Sequence, residues 1–520
     1  MKRKRRSFVA GKTTFAFRLL GAFLIFPPTS ILMLTGCWAV GPDYEQPDHE
    51  MPSAWHARSD PAVLPGEEII KRWWIVFDDQ ILTGLIDEAS RGNLPLREAV
   101  SRVAEARARL GVVSGEQYPG VDAQGVALRQ RTSENGLIPI SATETVFSPG
   151  IAASWEIDLF GRIRRSVEAA TADYQASNED RIDVLITLYA EVAMTYLDVR
   201  TYQSRLAATQ ANIDSQKQIL ALTRSRFRNG LAPDLDVARA ETVLAGSQAE
   251  VPPLRIKLAR SINTLAVLVG QAPGTLHAQL STPKPIPLPP SKAAVGVPAD
   301  LLRQRPDIRR AERQLAAQTA RIGVATTDLY PSFSLIGSFG YESIDTGDLF
   351  DARSRVFTFG PALRWNLFDG GRVRNQIKVR EAIAEQALFA YEQTVLNALN
   401  EVENALVAHL EQRIRFEALR RSVDASQRSL TLSTDLYSQG LVDFQVVLDV
   451  QRTLFDFENR LAAARGNSAA NFVRLYKALG GGWDPDEPEP PGTDDTPVRN
   501  GTTDAPLVDP TSIPNRPREK

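Results

Sequence analysis

A single cysteine, Cys37, stands among the 520 residues of the chain. That excludes an intrachain disulfide framework and any cysteine-clustered zinc or iron–sulfur site. Histidine is scarce too: His49, His56, His277 and His409 form no H-x-x-x-H pair. No G-x-x-x-x-G-K-[ST] phosphate loop, G-x-S-x-G elbow or G-x-G-x-x-G turn occurs, so neither catalysis nor metal binding finds an anchor. Net charge is nearly absent, with 60 basic against 62 acidic residues and a formal value of -2. Such a chain lacks the concentrated basic surface of a nucleic-acid binder. Also missing after Cys37 is any run of ~20 apolar residues, so a mature chain that crosses a membrane must do so as a β-barrel. The hydrophobic (43%) and charged (23%) fractions nevertheless fit folded protein rather than wholesale disorder.

The neutral total hides an uneven start. Residues 1–36 hold seven bases (Lys2, Arg3, Lys4, Arg5, Arg6, Lys12, Arg18) and no acid, leaving the remainder with 53 bases, 62 acids and a net charge of -9. The basic stretch leads into Leu19–Phe26, too short to span a bilayer and broken by Pro27-Pro28, which reads as a secretory signal. Leu34-Thr35-Gly36-Cys37 resembles the bacterial lipobox, in which small residues admit the peptidase and the Cys37 thiol takes a diacylglycerol. Trp38 stands where an Asp would favour inner-membrane retention, leaving outer-membrane sorting open.

The rest of the chain repeats itself. Tyr118-Pro119 recurs as Tyr330-Pro331, and Leu96, Arg97, Ala99 and Gly111 match Ile308, Arg309, Ala311 and Gly323, all at an offset of 212. Beyond a loop the offset becomes 210: Trp155, Gly161, Arg162 and Arg164 match Trp365, Gly371, Arg372 and Arg374. Gly230-Leu231 then matches Gly440-Leu441, and Gly270 matches Gly480. So many pairs at two constant offsets imply a duplication.

Each repeat runs through the same patterns. Repeat 1 occupies 78–280 and repeat 2 occupies 299–482. A helical stretch opens each, at 78–115 and 299–328, with Asn93 and Pro306-Asp307 as start signals. Alternating segments follow, forming hairpins about 118–160 and 330–370. In one, Phe357, Phe359, Pro361, Leu363, Trp365 and Leu367 alternate with Thr358, Gly360, Ala362, Arg364 and Asn366. Period two of this kind suits a barrel strand with lipid outside, or, taken singly, an edge strand of a soluble sheet. Residues 162–229 and 372–439 contain no proline over 68 residues each, predicting helices ~100 Å long. Leu388, Tyr391, Val395, Leu399, Val402, Leu406 and Leu410 follow an 11-residue period, which favours straight or slightly right-handed packing. Gly230 and Gly440 sit where helices reverse, and return helices run over 233–270, interrupted at Pro252-Pro253, and 442–480. Between repeats, 281–298 is an extended proline-rich connector, residues 37–77 an extended lipidated segment, and 483–520 a Pro/Asp-rich tail expected to be disordered.

Two hairpins per chain give four strands, too few to close, whereas three copies give twelve strands and an open lumen. The expected fold is therefore an α+β membrane protein of two structural repeats. Each repeat contributes a β-hairpin to a trimeric 12-stranded barrel and long α-helices to a tunnel.

At this point the chain resembles the TolC- and OprM-type outer-membrane efflux channels, in their NodT-like lipoprotein branch. The most specific pieces are Cys37–Tyr44, Trp73–Asp79, Leu301–Ile308, and the turn motifs Arg226–Ala240 and Tyr437–Gln451. The resemblance implies a homotrimer in the Gram-negative outer membrane, anchored by lipid on Cys37, with its helical tunnel in the periplasm. It further implies a periplasmic adaptor, an inner-membrane pump of the RND type, no cofactor other than that lipid, and no chemistry of its own. Gly230, Leu231, Gly440 and Leu441 become adaptor-docking turns; Asp236 and Tyr437 help hold the tip shut, and Asp449 lines an acidic constriction. Where the pattern has a second-turn Arg and another luminal Asp, this chain has Val442 and Val446, which shifts closure toward apolar contact. The cargo expected is small toxic molecules. A duct for type I protein secretion, and a periplasmic coiled-coil scaffold without a pore, are the alternatives.

Overall fold

The computed structural model describes residues 39–48, 51–56, 63–65, 71–131, 133, 135, 143–289, 293–295, 298–300 and 304–483. The signal segment, Cys37 and the tail beyond Trp483 lie outside the described residues.

In chain order the elements are β1 (Val63–Pro65), α1 (Gln80–Gly92), α2 (Leu94–Gly115), β2 (Gly120–Arg131), β3 (Thr143–Ile157), α3 (Arg162–Arg228), α4 (Asp234–Ala249), α5 (Val251–Leu268) and α6 (His277–Leu280). They continue with β4 (Ala293–Val295), α7 (Pro306–Thr327), β5 (Ser332–Tyr341), β6 (Arg355–Arg364), α8 (Arg372–Ser438) and α9 (Phe444–Ala478). The two 67-residue helices α3 and α8 form the frame. In one half of the molecule α2 packs on α3, and α7 fills the space between α3 and α8. In the other half α5 and α4 replace α2, and α9 replaces α7. The result is a wall one helix thick, four helices wide and about 100 Å long at 1.5 Å per residue.

At one end of that wall the strands form an antiparallel sheet in the order β2-β3-β5-β6. The second hairpin pairs with the first through Trp155 opposite Leu335 and Ile151 opposite Phe339. Among the described residues β2 and β6 are left as free edges. The apolar set of the period-two pattern faces outward: Phe357 and Phe359 are each 79% exposed, a cost no water-facing sheet would carry without cover. Trp155 and Trp365 donate their indole N–H to the carbonyls of Gln117 (2.9 Å) and Leu329 (3.1 Å), one in each repeat.

The 11-residue stripe is buried as expected. Tyr391, Val395, Val402 and Leu406 are at most 3% exposed and pack with Ile308, Leu475 and Leu479. The main core lies at mid-length, where Trp73, Trp74 and Phe77 meet Tyr196, Phe472 and Tyr476. Asp79 caps α1 through the amides of Ile81 and Leu82 and also accepts the Tyr196 hydroxyl at 2.5 Å.

The counterpart of α2 begins at its expected signal, Pro306, where the N–H that proline lacks would have no helical partner, and Pro298–Asp300 form a 3-10 turn ahead of it. Three expectations need correction. The first helical stretch, expected over 78–115, is two helices: the Asn93 side chain caps α2 at the Leu96 amide, and its backbone turns extended there (φ -66°, ψ 124°). The segment 37–77 is not simply extended, since Trp73–Phe77 form a 3-10 helix buried in the core. The connector is not wholly extended either, since Ala293–Val295 pairs parallel with Val63–Pro65.

Candidate functional site at the helical turns

The end of the wall opposite the sheet is made by two reversals, 229–233 and 439–443. Each uses a glycine in the left-handed region, Gly230 at φ 72° and Gly440 at φ 78°. The Gly230 amide donates to Phe227 O and the Leu231 amide to Arg226 O; Gly440 and Leu441 repeat this onto Tyr437 and Leu436. These paired bonds satisfy the last helical carbonyls and force the reversal. Such a turn usually tucks the residue after glycine against its own helix. Here Leu231 (64% exposed) and Leu441 (66%) project into solvent.

Behind the turns lies an apolar plug of Ile219, Leu220, Val237, Leu430, Phe444, Val447 and Leu448, with Val442 against it. Tyr437 is buried within it, its ring 5.2 Å from that of Phe444. Burial raises the Tyr437 phenol above its ordinary value, and the nearby Asp236 charge adds to the shift. Asp236, in the first turn of α4, is half-buried. Desolvation, with the like charge of Asp443, raises its carboxyl above the ordinary value, while Arg239 works the other way.

Asp236 and Tyr437 thus share one tip and sense each other electrostatically without a hydrogen bond between them. Asp449 stands apart, on an exposed face of α9, where it accepts Gln445 Nε2 at 2.8 Å. Val446 is 43% exposed. The residue that sequence reasoning passed over is Arg226. Its guanidinium lies 4.7 Å from the Tyr437 ring centre and donates to Ser438 O at 2.9 Å, so the first turn grips the second. Its place four residues before Gly230 was visible, but its partner, 212 residues away, was not.

The other position expected from the sequence, Cys37, lies outside the described residues. The residues just after it are described: the Val40 amide donates to Phe160 O at 3.0 Å, and Arg165 Nη2 donates to Asp43 Oδ1 at 2.7 Å. Gly41 passes so close to Gly323 that a Cβ on Gly41 would sit 2.4 Å from the Gly323 Cα. The segment is therefore fixed at the junction of β3 and α3, at the foot of the sheet. Among the described residues no cluster of His, Cys, Asp and Glu could hold a metal, and no helix is long and apolar enough to cross a membrane.

The sequence profile of the family described as "Outer membrane efflux protein" matches residues 85–271 and 297–481, one segment per repeat. Over 460 residues the chain is 32% identical to Nodulation protein T of Rhizobium leguminosarum bv. trifolii, covering 88% of this chain and 97% of that protein. It is 33% identical over 476 residues to the toluene efflux pump outer membrane protein TtgI of Pseudomonas putida, covering 89% and 98%. Among solved structures, the outer-membrane channel OprN superposes with a TM-score of 0.81 at 34% identity, covering 85% of this chain and 99% of that one. CusC, named as a cation efflux system protein in Escherichia coli, superposes at 0.75 with 29% identity, covering 85% and 100%. With both repeats matched and the whole architecture shared, this chain belongs to the outer membrane efflux protein family and is an efflux channel of the Gram-negative outer membrane.

Proposed function

We propose that three copies of this chain form one passive exit duct. The observation that carries the reading is the four-stranded sheet with two free edges, β2 and β6, standing on an open wall of four helices. A flat apolar sheet with open edges is unstable in lipid and prone to edge pairing in water; joining β6 of one copy to β2 of the next removes every edge. Three copies make twelve strands, enough for a lumen, where two would fill with side chains. The helical wall offers matching seams. On α8, Phe389, Leu396, Val407, Ile414 and Leu432 are exposed at spacings of 7, 11, 7 and 18 residues, a single stripe suited to a neighbouring copy.

The duct takes its energy from elsewhere. Its cargo arrives from an inner-membrane pump of the RND type through a periplasmic adaptor whose hairpins dock on Leu231 and Leu441. That cargo is small apolar or toxic molecules, in keeping with the solvent-efflux relatives. Closure rests on the apolar plug, on Tyr437 held by Arg226, and on Asp236, with Asp449 forming a separate acidic ring. A helical scaffold without a pore would have no place for the paired sheet. The chain performs no chemistry.

Cys37 carries the lipid. One residue, Trp38, separates it from Ala39, which lies against Gly161 at the foot of the sheet, so the chain tethers the lipidated residue within two residue lengths, about 7 Å between Cα atoms, of membrane level. Native mass determination in detergent, before and after heating, tests the assembly: a heat-resistant trimer is expected, and a monomer or dimer would refute it. Cys37→Ser should leave that trimer intact, because the barrel holds it in the membrane; a wholly soluble periplasmic product would contradict the barrel.

A further inference from the structure

At the foot of the sheet each long helix starts beside the strand that feeds it, and in repeat 1 that junction is clamped. Arg162, the first residue of α3, donates to both carboxylate oxygens of Glu156 at 2.7 and 2.9 Å, and to Glu116 at the end of α2 at 3.0 Å. One guanidinium thus joins strand and both helices through charge-assisted bonds. Repeat 2 keeps the arginine and changes its partners. Arg372 opens α8, but Asn366 stands at the position of Glu156, and Asp328, one methylene shorter, at that of Glu116. Among the described residues Arg372 makes no ion pair, and neither does Arg364, which lines with it a cavity of about 500 Å³. The acids close by are engaged elsewhere: Glu156 holds Arg162, Asp158 caps α3 at the Ile163 and Arg164 amides, and Asp369 caps α8 at the Gly371 and Val373 amides. Asp328 alone faces two arginines.

A carboxylate suited to them stands on the other edge of the same sheet. The two hairpins keep one register: Gly120 opposes Ser154, and Ser332 opposes Arg364, each residue displaced by its own repeat offset, 212 or 210. The seam between the hairpins sets Glu156 opposite Ser334 and Ile157 opposite Phe333. Carried to the next copy by the same offsets, that seam sets Asn366 opposite Asp122 and Leu367 opposite Val121. The apolar face stays continuous, and a slip of one residue would drive Asp122 into it. Within the chain the acid lies on β3 with a serine across from it; between copies the amide lies on β6 with the acid across from it. The helical wall carries the same sign. Ala172 and Ala316 are buried together where α3 meets α7, while their counterparts Ala382 and Ala104 are exposed on α8 and α2, the outer helices of the wall.

We infer that Asp122 of each copy closes the open clamp of its neighbour, its carboxylate taken by Arg372 and Arg364 beside Asn366. Residues directly opposite in such a ladder hold their Cβ atoms about 5 Å apart, so a guanidinium aimed at residue 366 also reaches the acid across from it. In its own copy Asp122 is exposed, faces Ala152 and has no ion-pair partner among the described residues. The inference rests on the trimer proposed above and adds to it a register and a shared site. Three clamps, each incomplete within one copy, ring the junction of barrel and tunnel and tie the start of α8 to the sheet of the next copy.

Two measurements on the full-length, detergent-purified protein test it. In a Cys37→Ser background, Asp122→Cys with Asn366→Cys should oxidise to a covalently linked trimer. Those positions lie on opposite edges of one copy's sheet, about 14 Å apart, so the bond can form only between copies. Asp122→Cys with Ala362→Cys, on the same face but about 13 Å further along the strand, should stay unlinked. Separately, Asp122→Arg should speed dissociation of the heated trimer about fivefold, the scale of one exposed ion pair at each seam. Adding Arg372→Asp should restore the original rate. A trimer that links through Ala362→Cys or through neither pair, or that the exchanged charges fail to restore, would overturn the clamp and leave the trimer standing. A monomer from the unsubstituted protein would overturn both.

Discussion

Repeat 1 and repeat 2 share a skeleton and differ where the skeleton moves. At mid-length the two are mechanically equivalent even when the residues are not. Asn93 Nδ2 donates to Leu268 O at 2.8 Å, and Arg305, 212 positions on, donates to Ala478 O at 2.5 Å. Each ties the start of one helix to the end of the return helix of its own repeat. Gly270 (φ 79°) and Gly480 (φ 78°) end those return helices identically. At the tip the equivalence fails. Arg226 corresponds to Leu436, the exposed Phe227 to the buried Tyr437, and Asp236 to Val446. The first turn supplies the charges and the second the aromatic ring and apolar bulk. The return helices diverge too: α9 runs unbroken for 35 residues, whereas α4 and α5 part before Pro252-Pro253. The residues that hold the wall do one job in both halves, and those at the tip do not.

Substitutions can break or sharpen this contrast. The largest effect is expected at the return-helix glycines. A Cβ on Gly270 would fall 2.0 Å from Gly92 O, adding overpacking to left-handed strain, for a loss of about 3 kcal/mol. At Gly480 the nearest atom is Gln304 O at 3.0 Å, so Gly480→Ala should cost about 1–2 kcal/mol. Thermal unfolding of the detergent-solubilised protein separates the two. Next come the ties. Arg305→Ala strands the mostly buried Asp307 carboxylate, while the half-exposed Glu401 turns to water, and should cost about 3 kcal/mol. Asn93→Ala loses a cap and one further bond, about 1–2 kcal/mol. Similar losses at both sites would show that the cluster around Arg305 adds nothing.

At the tip, Arg226→Ala removes a cation–π contact and a hydrogen bond, about 1–2 kcal/mol, and should raise the open fraction of single channels roughly tenfold. Tyr437→Phe keeps the ring under the guanidinium and should change it by less than about threefold. The smallest effect concerns pH. The closed tip holds the Asp236 carboxyl above its ordinary value of 3.8, so it binds that proton more tightly than a tip pulled apart. Closure therefore strengthens as pH falls toward the raised value and weakens as pH rises through it. Recordings across pH 4 to 7 should show fewer openings at the acid end, and Asp236→Asn should flatten the trend.

Much of this was legible in the sequence because the strongest signals are long and periodic. The proline-free spans became α3 and α8 within a residue or so, and the Tyr391–Leu410 stripe is the packed seam it promised. Short or non-local features were not legible. Nothing in Val63-Leu64-Pro65 announces a strand whose partner lies 230 residues away. Asn93 and Arg305 do one job with unrelated side chains, so a residue-by-residue comparison of the repeats overlooks it. At the tip, Asp236 and Tyr437 were found from a turn motif, while Arg226 escaped because its role depends on where the second turn arrives. Cys37 and the tail lie beyond the described residues, and the placement of Cys37 rests on what Val40 touches.

The central claim is a gated duct built from three unequal pairs of repeats. Planar-bilayer conductance of the detergent-purified protein, with its mass determined on the same sample, tests it most directly. A trimer with discrete, mostly low-conductance openings that Arg226→Ala lengthens is the predicted result. A monomeric or dimeric sample that passes no current would contradict it.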